Sequence, residues 1–191
     1  MNYKSDNLSP RQKKNALIGI FFLSTLFVFF FIYKNKKRVE REELLNNNTE
    51  TTICKIIQTS TYKGVTSTVE YKVSGKRYTY QGLSYKGIQI GELYYLKYST
   101  IKPSISKVIY SKPVINNIND FKESKGKVTS IYSNTKINIV KIQYDYEEKK
   151  YERNIYVDDI TIYKKNLEYN ILVNKKKPKI SYLKSIVKIL N

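Results

Sequence analysis

The chain has 191 residues, room for one or two small domains, and carries 35 Lys and Arg against 16 Asp and Glu for a formal net charge of +19. It holds no His, no Trp and a single Cys, which excludes Cys–His and Ser–His nucleophile pairs, the usual zinc ligand sets and an intramolecular disulfide. Such a basic excess favours anionic partners, although a chain rich in Lys, Asn, Ile and Tyr throughout is also what an AT-biased genome encodes.

A basic N-terminal tail over residues 1–14 precedes an uncharged run, NALIGIFFLSTLFVFFFIY, at 15–33. As a helix that run rises about 28 Å, close to the thickness of a bilayer's hydrocarbon core. Its six phenylalanines favour insertion, and Tyr33 sits where an interfacial aromatic belongs. No small-x-small site follows it, so an uncleaved transmembrane helix is expected rather than a signal peptide. Residues 34–50 form a basic juxtamembrane helix and linker. There Lys34, Lys36, Lys37, Arg38 and Arg41 are expected to touch lipid headgroups, and Asn46–Glu50 to break the helix. Four basic residues precede the span and five follow it, so the positive-inside rule leaves its direction open. The expected arrangement is an N-terminal tail in the cytoplasm and an exported C-terminal part, at the inner membrane.

Residues 42–191 contain 26 basic and 14 acidic side chains, a net +12. From Thr51 on, apolar residues alternate with polar ones at the period of a strand. Val69, Tyr71 and Val73 share one face, Ser74-Gly75 makes a two-residue turn, and Tyr78 and Tyr80 return, which predicts a β-hairpin. Cys54 reads as a small buried hydrophobe at a strand start. The pattern recurs 73–75 residues later: Val69–Tyr78 aligns with Ile142–Tyr151, Tyr94–Tyr98 with Tyr169–Val173, and Lys102–Ser106 with Lys177–Ser181. The expected fold is mainly β: after the helix come two tandem small five-stranded β-barrel or sandwich-like repeats, at 51–111 and 124–191, joined by a connector at 112–123. Strands are predicted near 52–59, 66–73, 76–81, 93–98 and 105–110, then near 125–132, 137–146, 149–157, 167–173 and 179–183. Ile137 and Ile139 fall out of phase with Val140, Ile142 and Tyr144, which predicts a bulge near Ile139. The final stretch, Leu183–Leu190, reads as a short helix or a covering strand.

The hairpin Tyr71–Tyr78, the run Gly91–Tyr98 and Lys102–Ser106 together resemble the bacterial membrane-associated small β-barrel family known as domain of unknown function 3592. The resemblance spans about 60 residues and is weaker in the second copy, where Glu147-Glu148 replace Ser-Gly. It implies a small barrel beside a transmembrane helix and carries over no catalytic residue.

No sequence signal points to a cofactor, a metal or catalysis. Glu147-Glu148 and Asp158-Asp159 are adjacent on the chain, so on a strand each pair splits across two faces, and both read as turns. Tyr78, Tyr80, Tyr85, Tyr94, Tyr95 and Tyr98 are the candidate binding surface, a stacking stripe among lysines, against the plainer expectation that tyrosines fill a small core. The expected function is a non-enzymatic binding or scaffolding module. Its partners are the lipid bilayer and another membrane or envelope protein, with nucleic acid or anionic lipid as the alternative.

Overall fold

The computed structural model describes residues 9–62, 64–135 and 137–190. Residues 1–8 of the predicted basic tail lie outside them. The chain falls into two compact units, Met1–Glu43 and Leu44–Asn191.

The first unit is dominated by α1 (Pro10–Asn46), the one helix among the described residues long and apolar enough to cross a membrane. None of its apolar window is buried, and Phe21, Phe27, Phe29 and Phe31 stand outward. Ser24 and Thr25 donate their hydroxyls to the Phe21 carbonyl, both at 2.8 Å, so the polar groups inside the run are satisfied by the helix itself, as hydrocarbon requires. The basic residues predicted to follow the span lie on the same continuous helix, where Lys37 sits 4.8 Å from the centre of the Tyr33 ring one turn back. The predicted linker at 46–50 shrinks to Asn47-Asn48, because strand pairing begins at Thr49.

The second unit contains two sheets, one of them curled into a half-barrel. The first comprises β1 (Thr49–Ser60), β2 (Thr66–Val73), β3 (Lys76–Leu83), β4 (Leu93–Ser99) and β5 (Ser106–Ile115). The second comprises β6 (Phe121–Ser133), β7 (Asn138–Tyr146), β8 (Lys149–Val157), β9 (Glu168–Asn174) and β10 (Ser181–Leu183). A last short strand, β11 (Lys188–Ile189), leaves the second group and pairs in parallel with β5. The orders are β11-β5-β4-β1-β2-β3 and β10-β9-β6-β7-β8.

Aside from β11, the two sheets share one strand order, and their details correspond. The Ile56 N–H bonds the Glu92 carbonyl and the Val128 N–H the Leu167 carbonyl, each at 2.9 Å. Tyr71 donates its hydroxyl to the Pro103 carbonyl and Tyr144 to that of Pro178, each at 2.6 Å. Tyr71 stacks on Tyr78 and Tyr144 on Tyr151, with ring centres 5.7 Å apart in both cases. Both hairpin turns place two residues at positive φ, Ser74 and Gly75 (48° and 78°) and Glu147 and Glu148 (49° and 62°). That is the two-residue turn whose twist suits a hairpin, achieved the second time without glycine.

Two strand-level expectations change, and one that was open is resolved. The predicted bulge near Ile139 is absent, since β7 and β8 pair regularly through Ile139↔Tyr156; the irregularity lies in β6, between Val128 and Ser130. Ile139 falls out of phase because it packs on the first core, whereas Val140 and Ile142 belong to the second. The connector is also shorter than 112–123: β5 runs to Ile115, a 3-10 turn covers Ile118–Asp120, and β6 starts at Phe121. The C-terminal stretch contains no helix among its described residues and ends as the covering strand β11.

Each fully buried Ile, Val or Leu contributes about 1.5–3 kcal/mol of hydrophobic stabilisation. The first core is built on Ile56, Val69 and Leu96, the second on Val140, Ile142 and Ile171. The first core also takes in Tyr156, Leu172, Ile180 and Tyr182 from the second sheet's half of the chain, so the two sheets share it.

A basic groove where the two sheets meet

β8 closes its sheet on one side, bonding β7 from Tyr146↔Lys149 to Asn138↔Val157 and, among the described residues, no strand on its other side. Alternation turns Tyr151 and Arg153 inward and leaves Lys150 and Glu152 exposed. The loop between β3 and β4 crosses beside it. Gly87 (φ 104°) lies so near that a Cβ there would sit 4.0 Å from the Asn154 nitrogen, and the Tyr156 hydroxyl is 3.5 Å from the Lys86 carbonyl. Between that loop, β8 and the β9–β10 loop runs a groove of about 580 Å3 whose walls carry Lys86, Lys141, Lys150 and Lys179. Its one wall carboxylate, Glu152, is held by Lys141 at 2.7 Å. Among the described residues, no carboxylate pairs with Lys86, Lys150 or Lys179. A second lobe of about 450 Å3 adjoins along Gln89, Tyr151 and Lys179, and is lined by Ile90, Pro178 and Ile180 with Lys177 at its rim.

Arg153, which lines the basic lobe, has a side chain only 3% exposed. Its Nη2 donates to Glu92 Oε1, its Nη1 to the Lys179 carbonyl at 2.8 Å, and its guanidinium lies 5.0 Å from the centre of the Tyr182 ring. The Glu92 carboxylate also accepts from the Tyr182 hydroxyl at 2.9 Å and from the Gln89 N–H at 2.6 Å. Burial pushes the Arg153 proton affinity down, but the adjacent Glu92 outweighs it and holds the guanidinium above its usual range. Burial first, and the Glu92 charge second, push the Tyr94 and Tyr182 phenols well up. Arg153 therefore stays charged and Tyr94 and Tyr182 stay protonated through the physiological range. Among the described residues, Arg153 Nε has no hydrogen-bond partner. Two buried charges are tolerated here because most of their remaining donors and lone pairs are satisfied.

The six candidate tyrosines do not form one stripe. Tyr94 and Tyr98 are buried in the first core, and Tyr98 donates to Glu50 at 2.6 Å. Tyr95 lies on the opposite face of β4. Tyr78 covers Tyr71, with the Lys76 ammonium 5.6 Å from its ring centre, while Tyr80 packs at the edge of the first core. Tyr85 instead joins Tyr110 and Tyr156, with ring centres at 5.3 Å and 4.4 Å, beside a cleft of about 470 Å3 bordered by Lys97, Lys107 and Asp158. Lys34, Lys36, Lys37, Arg38 and Arg41 all lie on α1. Asp158 accepts from Ser111 across the two sheets, whereas Asp159 accepts from the Thr161 N–H at 2.8 Å, the local bonding of a turn. Among the described residues, no three His, Cys, Asp or Glu side chains gather as metal ligands.

The sequence expectations passed over the groove, because its lysines come from three separate segments within a chain of 30 lysines. Arg153 did leave a signal. It is the only arginine after Arg77, and a buried, forked ion pair is where lysine cannot substitute. Compared with known proteins, the chain matches no protein-family model, no curated protein and no solved structure.

Proposed function

We propose that this chain is a single-pass, membrane-tethered, non-enzymatic binding module whose β-unit holds a segment of another membrane or envelope protein. The observation that carries this reading is the pair of open sheet edges, β3 and β8, each eight or nine residues long and paired on one side only. An unpaired edge offers a row of main-chain donors and acceptors to an incoming strand. At β3, Gly82 lets the Tyr80 ring lie along the edge, since a Cβ there would meet the Tyr80 hydroxyl at 2.2 Å. Leu83, 83% exposed, ends that edge with an apolar contact. In this reading α1 sits in the inner membrane of a bacterium, with Lys34, Lys36, Lys37, Arg38 and Arg41 against lipid headgroups and the β-unit exported. The matching strand orders and hydrogen bonds support a duplicated module, and the resemblance to the small-barrel family named above suits the same setting.

Photo-crosslinkers placed at Thr79 on β3 and Lys150 on β8 of the full chain in its native membrane test the proposal. Discrete adducts with one membrane or envelope protein, lost when the crosslinker moves to the buried face at Val69, are expected. A second reading, binding to nucleic acid or anionic lipid, is favoured by the +12 charge of residues 42–191. It replaces the first if no edge adduct forms and the full chain instead binds single-stranded DNA or acidic vesicles with a steep loss on added salt.

A further inference from the structure

We infer that the groove along β8 takes an extended acidic peptide segment, which adds to the free edge of β8 and alternates its side chains between the basic and the apolar lobe. The inference rests on the binding-module reading and specifies one edge and one partner chemistry for it. Three observations converge. The first is the edge itself: β8 pairs only with β7, and because the β3–β4 loop covers it near Asn154, the open run is Lys149–Arg153, about 17 Å of strand. The second is charge. Lys86, Lys150 and Lys179 reach the same groove from three segments, and the wall's single carboxylate is already neutralised by Lys141. The third is the neighbouring lobe, where Ile90, 52% exposed, and half-buried Pro178 offer an apolar seat over buried Ile180. A strand sends successive side chains to opposite sides, so a peptide alternating carboxylate and apolar residues fills both lobes at once. A nucleic-acid strand would use the lysines but leave the main-chain edge and the apolar seat unmatched.

The test uses the full chain in zwitterionic nanodiscs and fluorescently labelled eight-residue peptides alternating Glu with Val. One version is plain, and one is N-methylated at alternate residues, so that charge is kept and strand pairing is lost. The plain peptide is expected to bind at least tenfold more tightly than the methylated one and to protect the β8 amides from hydrogen exchange. Lys86→Gln/Lys179→Gln is expected to weaken it at least tenfold, while Lys122→Gln/Lys125→Gln, on β6, changes it less than twofold. All four lysines are exposed, so both variants keep the cores intact. Equal binding of the two peptides, protection at β3 instead of β8, equal effects of the two lysine variants, or displacement of the peptide by an oligothymidine of matched charge would each overturn the inference. Absence of peptide binding while Thr79 still crosslinks a protein would sink the groove alone; absence of both would remove the binding-module reading as well.

Discussion

Arg153→Met tests what the buried ion pair does for the fold. The substitution keeps most of the side chain's volume but removes both terminal nitrogens, and with them the bonds to Glu92 and to the Lys179 carbonyl. Glu92, 2% exposed, is then left with the Tyr182 hydroxyl and the Gln89 N–H as its remaining donors. Breaking a buried pair from one side costs about 3–5 kcal/mol because the surviving charge has lost its counter-ion. Two remaining donors to a charged acceptor soften that loss, which places the expected cost near the lower limit, about 3 kcal/mol. Adding Glu92→Gln removes the stranded charge while keeping its shape, so the double variant is expected to recover about 2 kcal/mol of the loss. Urea unfolding of the full chain in zwitterionic micelles, followed by near-ultraviolet tyrosine dichroism, measures all four members of the cycle. If the two single losses simply add in the double variant, the pair carries no coupling and the reasoning fails.

Four further predictions rest on other contacts and on the anchor. Tyr144→Phe removes one 2.6 Å bond to the Pro178 carbonyl and is expected to cost about 1 kcal/mol, while Tyr71→Phe removes its 2.6 Å bond to the Pro103 carbonyl and its contact with the buried Ser106 hydroxyl and is expected to cost more by urea unfolding. Burial pushes the Cys54 thiol up to about 12, so iodoacetamide at about pH 8 should leave it unmodified in the native chain and alkylate it in concentrated urea. Between about pH 9 and pH 12 the unfolded chain sheds the Cys54 proton, and near pH 10 its tyrosine protons, while folded Cys54, Tyr94, Tyr156 and Tyr182 hold theirs. The unfolded state then binds fewer protons, so stability should fall with rising pH by about 1.4 kcal/mol per unit for each such group, and unchanged urea midpoints from pH 9 to pH 11 would contradict this. Finally, the full chain is expected to resist carbonate extraction from membranes while a chain beginning at Leu44 does not; release of both would count against α1 as an anchor.

The elements were legible wherever one local rule governed them. An uncharged apolar run of bilayer length reads as one long helix, and period-two alternation with Ser74-Gly75 defines β2 and β3 to within two residues. The second hairpin was legible through its alternation alone, because Glu147 and Glu148 accept positive φ where the first turn uses glycine. Legibility failed where two sheets meet. Ile139 and Val140 are adjacent yet both packed, each on a different core, so a pattern that looks like a bulge is a strand covered on both faces. The tyrosine stripe set Tyr94 and Tyr95 side by side although strand alternation sends neighbours to opposite faces; what the sequence does not say is that the inward face, with Tyr94 and Tyr98, lies in a core shared with the other sheet. The groove lysines lie 9 to 93 residues apart in the chain, and no sequence period links them.

Arg153 also ties the groove to the fold. One fork holds Glu92, at the start of β4 in the first sheet, and the Lys179 carbonyl, in the β9–β10 loop of the second, while its flank lines the basic lobe. The position of Lys179 on the groove wall is therefore set by the same side chain that joins the two halves. Arg153→Lys separates these roles, because an ammonium keeps the charge but cannot span both acceptors with a planar fork. It is expected to keep the Glu92 contact, lose the Lys179 carbonyl, and cost about 1–2 kcal/mol, well short of Arg153→Met. Hydrogen exchange should then quicken across Lys177–Ile180 with β4 unchanged. Equal quickening on both sides would mean that Arg153 stabilises the two halves as one block rather than positioning the wall.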